Sequence, residues 1–207
     1  MSLRPRRKEA SQRETVPEDL ADYEVAVGVC GGIAAYKICS VVSELVQRGA
    51  GVQVVMTRAA RKFIGPVTFQ ALTARPVFKT MWPAHDERGQ QHIQLTEAAD
   101  LMLVAPASAN MIGKVAHGIA DDLLSTMIMS ADCPVMFAPS MNDRMWNNPV
   151  VQANVAALQQ AGHLFVGPEE GWLACRTVGA GRLAEPPTII EAVARQLRSD
   201  TPRRSAE

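Results

Sequence analysis

The chain reads as an α/β protein, a single doubly wound domain with a parallel sheet and Rossmann-like layering. Short apolar runs alternate with helix-periodic segments from end to end. The runs at 101–105 and 134–138 are apolar throughout, as in strands covered on both faces. A helix-length segment between successive strands imposes crossover connections, which give parallel pairing. Neither an internal repeat nor a second composition regime interrupts the pattern, so one domain is expected over residues 23–198.

Residues 24–30 form the first expected strand. A helix follows over 34–48 and stops at Gly49, a residue suited to the left-handed position after a helix. A second strand is expected over 52–56, and a second helix opens at Ala59. Residues 77–81 give a short edge strand. Residues 92–100 have helical spacing and lead into the buried strand at 101–105. The stretch 110–130 reads as helix, 134–138 as strand, and 149–161 as a helix ended by Gly162. A strand over 163–166 comes next, then a glycine-rich segment, 171–182, read as a mobile loop. Residues 187–197 make the last helix, with Pro187 in its first turn, where a missing N–H is tolerated.

Composition narrows the class. At 207 residues, 47% of them hydrophobic, the chain can bury one full α/β core. Its 21 basic and 21 acidic residues cancel, so no charge excess points to nucleic acid or an anionic membrane. No apolar run approaches the roughly 20 residues that span a bilayer. Residues 1–16 are polar and Arg-rich without an apolar signal core, which argues against secretion. Glu9 and Glu14 oppose the alternative of a transit peptide. A cytoplasmic location is expected, with disordered tails at 1–22 and 199–207. Cysteines stand at 30, 39, 133 and 175 without a Cys-x-x-Cys pair, so neither a metal site nor a disulfide framework is expected. Cys30, Cys39 and Cys133 sit among apolar residues and read as small core side chains. Cys175 lies instead in the glycine-rich segment, beside Arg176.

Ligands of parallel α/β sheets bind at the carboxyl ends of the strands, and three segments in such places carry candidate chemistry. The first is Gly31-Gly32-Ile33-Ala34, ahead of a helix. Glycines there admit a phosphate close to the backbone, and N–H groups at a helix start can receive it. Close packing is the other explanation of two glycines. The spacing is neither Gly-x-Gly-x-x-Gly nor a Walker loop. The second strand also runs into Thr57-Arg58 rather than an acidic residue that would hold an NAD ribose. A mononucleotide such as FMN fits better than a dinucleotide.

The second segment is Ser108-Ala109-Asn110-Met111. Its Ser and Asn either cap the next helix or face a ligand, and small neighbours there let a flat ring lie against the backbone. The third is the octet Pro139-Ser140-Met141-Asn142-Asp143-Arg144-Met145-Trp146. Asn142 offers two donors and an acceptor without charge, which suits holding a carboxylate or amide; capping a helix is its alternative role. His92, at a helix start ahead of the buried strand at 101–105, is either a titrating group or a satisfied structural residue. His85, His117 and His163 are read as structural.

Six stretches, taken in order, resemble signatures of the flavin-dependent cysteine decarboxylases. They are Gly-Gly-Ile-Ala-Ala-Tyr-Lys at 31–37, His-Ile-x-Leu at 92–95, Pro-Ala-Ser-Ala-Asn at 106–110, Ala-His-Gly-Ile-Ala-Asp-Asp-Leu-Leu at 116–124, Pro-x-Met-Asn-x-x-Met-Trp at 139–146 and Leu-Ala-Cys at 173–175. Within that group they resemble the phosphopantothenoylcysteine decarboxylase family of coenzyme A biosynthesis. The resemblance implies a flavoprotein-type sheet, FMN as cofactor, and conversion of 4′-phosphopantothenoylcysteine to 4′-phosphopantetheine. In that chemistry the cysteinyl unit is oxidised to a thioaldehyde, loses CO2, and leaves an ene-thiol that is then reduced, the flavin carrying the electrons.

Carried over residue by residue, the resemblance makes His92 the base of the oxidation, Asn142 the holder of the departing carboxylate and Cys175 the proton donor of the last reduction. Gly31, Gly32, Ile33, Ala34 and Thr57 would contact the cofactor, together with Ser108, Ala109, Asn110 and Met111. Asn110, Met141, Asn142, Met145 and Trp146 would contact substrate. This chain departs from the family at Met111, where a Thr is usual, and at Arg176, where the loop usually reads Ala-Cys-Gly. The family resembles homotrimers with the flavin at the subunit interface, which implies an exposed apolar face. A synthetase domain fused in many bacterial members has no counterpart here, so a separate synthetase is expected. The alternatives are a peptidyl-cysteine decarboxylase of peptide maturation and a non-catalytic FMN-binding regulatory protein. The latter would have no use for His92, Asn142 and Cys175 together.

Overall fold

The computed structural model describes residues 18–82 and 91–203. Strands β1 (Glu24–Val29), β2 (Gly51–Met56), β3 (Leu101–Ala107), β4 (Val135–Pro139) and β5 (Leu164–Phe165) form a parallel sheet in the order β2-β1-β3-β4-β5. The α/β sheet expected from the apolar runs is therefore present. β1, β3 and β4 are buried along their whole length, because both faces are covered. Side chains alternate between two cores, as the two-residue strand period requires. Val25, Val27 and Val29 of β1 enter one; Ala26 and Cys30 enter the other.

Helices α1 (Ile38–Gln47), α2 (Pro66–Thr73) and α8 (Pro186–Leu197) supply apolar side chains to the first core. Helices α4 (Ala109–Ala116), α5 (Leu123–Ser130) and α7 (Pro149–Gln160) supply the second. Gly28, in mid-β1, makes the second side possible: a Cβ there would collide with Leu124 of α5. The β3–β4 register shifts between Val104 and Ala107, where Pro106 has no N–H for the ladder.

Several elements differ from the expected ones, each for a local reason. The helix expected over 34–48 begins as a 3-10 turn, Ile33–Lys37, and becomes α-helical at Ile38. After β2, a short 3-10 turn at Ala60–Lys62 precedes α2, which starts at Pro66 behind Gly65; proline at the first helical position is the start signal. The helix expected over 110–130 is two helices. Gly118 takes a left-handed φ of 69°, and Asp122 and Ser125 cap α5 reciprocally at 2.9 and 3.1 Å. The expected edge strand reduces to one bridge between Val55 and Phe78. Helix α3 (Gln91–Glu97) leads into β3 as expected, and a one-turn helix, α6 (Asp143–Trp146), follows β4. The glycine-rich segment is not a loop. It forms an antiparallel hairpin of β6 (Glu169–Trp172) and β7 (Val178–Arg182).

At the chain ends Leu20 is fully buried in the first core. Arg48 binds Asp19 at 2.6 Å and Glu191 at 2.8 Å, and its guanidinium holds the Asp19 carboxyl well below the usual carboxylate range. Arg203 donates its backbone N–H to Asp100 at 2.7 Å and pairs with Asp132 at 2.8 Å. Both contacts fall in stretches expected as tails, whose residues 1–17 and 204–207 lie outside the described ones. Among the described residues, no helix is long and apolar enough to cross a membrane.

Candidate functional site

In this strand order the winding reverses between β1 and β3, and the crevice beyond their carboxyl ends is where such sheets take ligands. A cavity of about 590 Å³ opens there, within the roughly 300–1,000 Å³ of small-molecule sites. Its lining comes from four places: the turn after β1, the end of β3, the loop after β4 and the β6–β7 hairpin.

The turn after β1 contributes Gly31, Gly32, Ile33 and Ala34. The two glycines have different reasons. A Cβ at Gly31 would collide with Ala59, so close packing explains that one. A Cβ at Gly32 would meet no atom within 4 Å; glycine there keeps open the space beside a lining residue. Cys30, just before the turn, is buried, and burial pushes its thiol up to about 12, which keeps it neutral.

From β3 come Ser108 and Ala109. Ser108 caps α4, its Oγ accepting the Met111 N–H at 3.3 Å. Asn110 is exposed but does not line the cavity. Met111 is turned inward and buried in the second core, so its side chain does not reach the cavity either. Thr57 is occupied locally: its Oγ1 accepts the Ala60 N–H at 3.1 Å.

The loop after β4 contributes Ser140, Met141, Asn142 and Met145. Asn142 is both a helix cap and a lining residue. Its Oδ1 caps α6 by accepting the Met145 N–H at 2.8 Å, and the residue lines the cavity. The amide N–H2 has no hydrogen-bond partner among the described residues. Trp146 stands outside the lining, packed against the second core.

The hairpin closes the remaining side. Its turn is held by the Leu173 N–H donating to Thr177 O at 2.8 Å and the Arg176 N–H to Leu173 O at 2.9 Å. A three-residue hairpin loop of this kind needs a left-handed residue at its end, normally glycine. Arg176 fills that position with a φ of 67°. Cys175 is exposed at the turn, lines the cavity, and has its Sγ 3.1 Å from Thr177 Oγ1. The hairpin is docked onto the loop after β4 through Gly181, whose carbonyl accepts the Met141 N–H at 2.9 Å. A Cβ at Gly181 would lie 2.6 Å from the Met141 carbonyl oxygen, so only glycine allows this approach.

Asn142 and Cys175 thus meet in one cavity with the Gly31-Gly32 turn and Ser108. His92 lies by its backbone in the first turn of α3; its side chain lies outside the described residues, as does His85. Sequence reasoning missed Lys37, Trp172 and Arg182, which also line the cavity.

The family model for flavoproteins matches residues 13–198. The chain belongs to the flavoprotein family. The coenzyme A biosynthesis bifunctional protein CoaBC of Bacillus subtilis (strain 168) is 44% identical over 182 residues, 88% of this chain and 45% of that protein. The chain spans about half the length of such bifunctional relatives. A probable phosphopantothenoylcysteine decarboxylase of Streptococcus mutans is 40% identical over 176 residues, 84% of this chain and 98% of that protein. Among solved structures, a PPC decarboxylase mutant complexed with pantothenoylaminoethenethiol matches with a TM-score of 0.76 and 30% identity, covering 86% of this chain and 99% of that one. The FMN-dependent cysteine decarboxylase SpaF matches with a TM-score of 0.74 and 34% identity, covering 86% and 97%.

Proposed function

We propose that the protein is an FMN-dependent carboxy-lyase that converts 4′-phosphopantothenoylcysteine to 4′-phosphopantetheine in coenzyme A biosynthesis. The observation that carries this reading is the meeting of Asn142 and Cys175 at a cavity on the β1/β3 switch point, in a chain this similar to a probable phosphopantothenoylcysteine decarboxylase. The cavity suits a flavin mononucleotide: glycine and alanine backbone and apolar side chains line it for a flat ring, and Gly32 leaves space beside the backbone. Gly31, Gly32, Ile33 and Ala34, with Ser108 and Ala109, would hold it. When bound, FMN supplies the two-electron oxidation of the cysteinyl unit and its return in the last step.

The chain's own residues do the rest. The free amide N–H2 of Asn142 holds the substrate carboxylate beside the cavity until it leaves as CO2. The Cys175 thiol delivers a proton to the ene-thiol carbon. His92 takes the base role by resemblance, from the first turn of α3. Ile33, Tyr36, Phe63 and Val67, all more than half exposed, support a homo-oligomer, a trimer or a multiple of it. A cytoplasmic location and a separate synthetase supplying the substrate belong to the same proposal.

The protein is expected to purify yellow. Heat release and chromatography should give FMN and neither FAD nor NAD. Phosphopantothenoylcysteine added without oxygen should bleach the colour transiently, because the last step returns the electrons to the product, and His92→Asn should keep FMN while losing the bleaching. A colourless protein that takes up no added FMN, or a yellow one that releases no CO2 from phosphopantothenoylcysteine, rejects the reading.

A further inference from the structure

One side-chain contact at the hairpin tip has no part in closing the turn. Leu173, which is buried, gives its N–H to Thr177 O and its carbonyl to the Arg176 N–H, so the backbone alone makes the closure. The remaining contact joins Cys175 Sγ and Thr177 Oγ1 at 3.1 Å. Thr177 holds its hydroxyl there in two ways. Its backbone is pinned through the carbonyl that Leu173 reaches, and its β-branched side chain is stiff at χ1. Among the described residues the hydroxyl has no other side-chain or backbone partner.

Either atom of the contact could be the donor by geometry, and the cavity separates the two directions. Cys175 lines it and Thr177 does not. An S–H spent on Thr177 is directed along the turn, whereas a hydroxyl that donates to sulfur leaves the S–H free for the cavity. The chemistry favours the same direction. Proton delivery breaks the S–H bond, forms a C–H bond at the ene-thiol carbon that lost CO2, and leaves a thiolate on Cys175. The two electrons of the reduction return as hydride to the carbon bearing sulfur, and solvent reprotonates the thiolate. A hydroxyl already aimed at sulfur then donates to a full negative charge, and such hydrogen bonds are roughly twice as strong as neutral ones.

We propose that Thr177 is a positioning residue of the last reduction. Its hydroxyl donates to Cys175 Sγ, turns the thiol proton to the cavity and stabilises the thiolate that proton delivery leaves. The role rests on the function proposed above, because it acts only through Cys175.

The test uses the FMN-loaded protein and its Thr177→Val and Thr177→Ser variants. Valine keeps the β-branched shape and the backbone closure while removing the hydroxyl. In a single turnover without oxygen, Thr177→Val should release CO2 at the wild-type rate. The return of the yellow colour and the formation of 4′-phosphopantetheine should slow on the order of 10-fold, the worth of a hydrogen bond to a charged group. Thr177→Ser should recover most of that loss. In a Cys175→Ser background, Thr177→Val should add no further loss, which a role confined to the shape of the turn does not predict. A second readout needs no substrate. Iodoacetamide reacts with thiolate and not thiol, so Thr177→Val should slow alkylation of Cys175, read by mass spectrometry of its peptide, and Thr177→Ser should restore it. Colour returning at the wild-type rate in Thr177→Val, or an equal loss in the Cys175→Ser background, overturns the inference. A wild-type protein that releases no CO2 defeats the proposed function instead, and alkylation alone then decides whether the hydroxyl serves the sulfur.

Discussion

Cys175→Ser is expected to release CO2 from phosphopantothenoylcysteine and then stall at the ene-thiol, forming 4′-phosphopantetheine on the order of 100- to 10,000-fold more slowly. That is the range general acid catalysis contributes. The expectation follows from how the turn is built. Its two closing hydrogen bonds, Leu173 N–H to Thr177 O and Arg176 N–H to Leu173 O, are backbone to backbone, so serine leaves the turn in place. A serine hydroxyl can also keep the contact that Cys175 Sγ makes with Thr177 Oγ1. Proton donation is what changes, because a hydroxyl is a far weaker acid than a thiol. The early steps, which depend on other residues, continue. Mass spectrometry should find a product two hydrogens lighter than phosphopantetheine, from a protein that stays bleached. An undiminished yield of fully reduced product would make Cys175 a structural residue of the hairpin.

The sheet was legible because its strands are buried on both faces, and a run such as Leu101-Met102-Leu103-Val104 has no solvent-facing alternative. The hairpin was not legible because its physics is of another kind. Gly171, Gly179 and Gly181 suggest flexibility in a sequence, yet in the fold Gly179 and Gly181 answer a close approach, by Asp143 Cβ and the Met141 carbonyl. Those approaches are tertiary, and no local pattern encodes them. Arg176 hides the turn further, since a three-residue loop announces itself by glycine at the left-handed position, where this chain puts arginine. The contrast between Ser108 and Met111 has a simpler cause. Both follow β3, but a helix begins between them, so three residues on the chain has swung from the cavity into the core. The cofactor contact that the resemblance implies for Met111 is left to its backbone, since the side chain is buried in the second core. At Asn142 capping a helix and lining the cavity are not exclusive, because the cap uses only the oxygen end of the amide.

That division of labour makes Asn142→Asp the most discriminating substitution in the site. Asp and Asn are about equally good helix N-caps, and the aspartate oxygen can accept the Met145 N–H as Asn142 Oδ1 now does at 2.8 Å. A negative charge at a helix start is favourable where it matters at all. The variant should therefore melt at or slightly above the wild-type temperature. At the cavity the change has the opposite sign. The N–H2 donor disappears, and a fixed carboxylate faces the carboxylate of the substrate. Two like charges about 4 Å apart, at the effective dielectric of a protein surface, repel by roughly 4 kcal/mol, so kcat/KM should fall about 1,000-fold. Asn142→Ala is the companion. It removes cap and donor together, so stability falls by about 1 kcal/mol and activity falls without the repulsion, by less than in Asn142→Asp. Thermal melts and steady-state rates on the FMN-loaded proteins separate the two effects. Should Asn142→Asp hold wild-type stability and also stay within about tenfold of wild-type kcat/KM, a loss of no more than 1.4 kcal/mol, the amide is a cap alone and the carboxylate is held elsewhere.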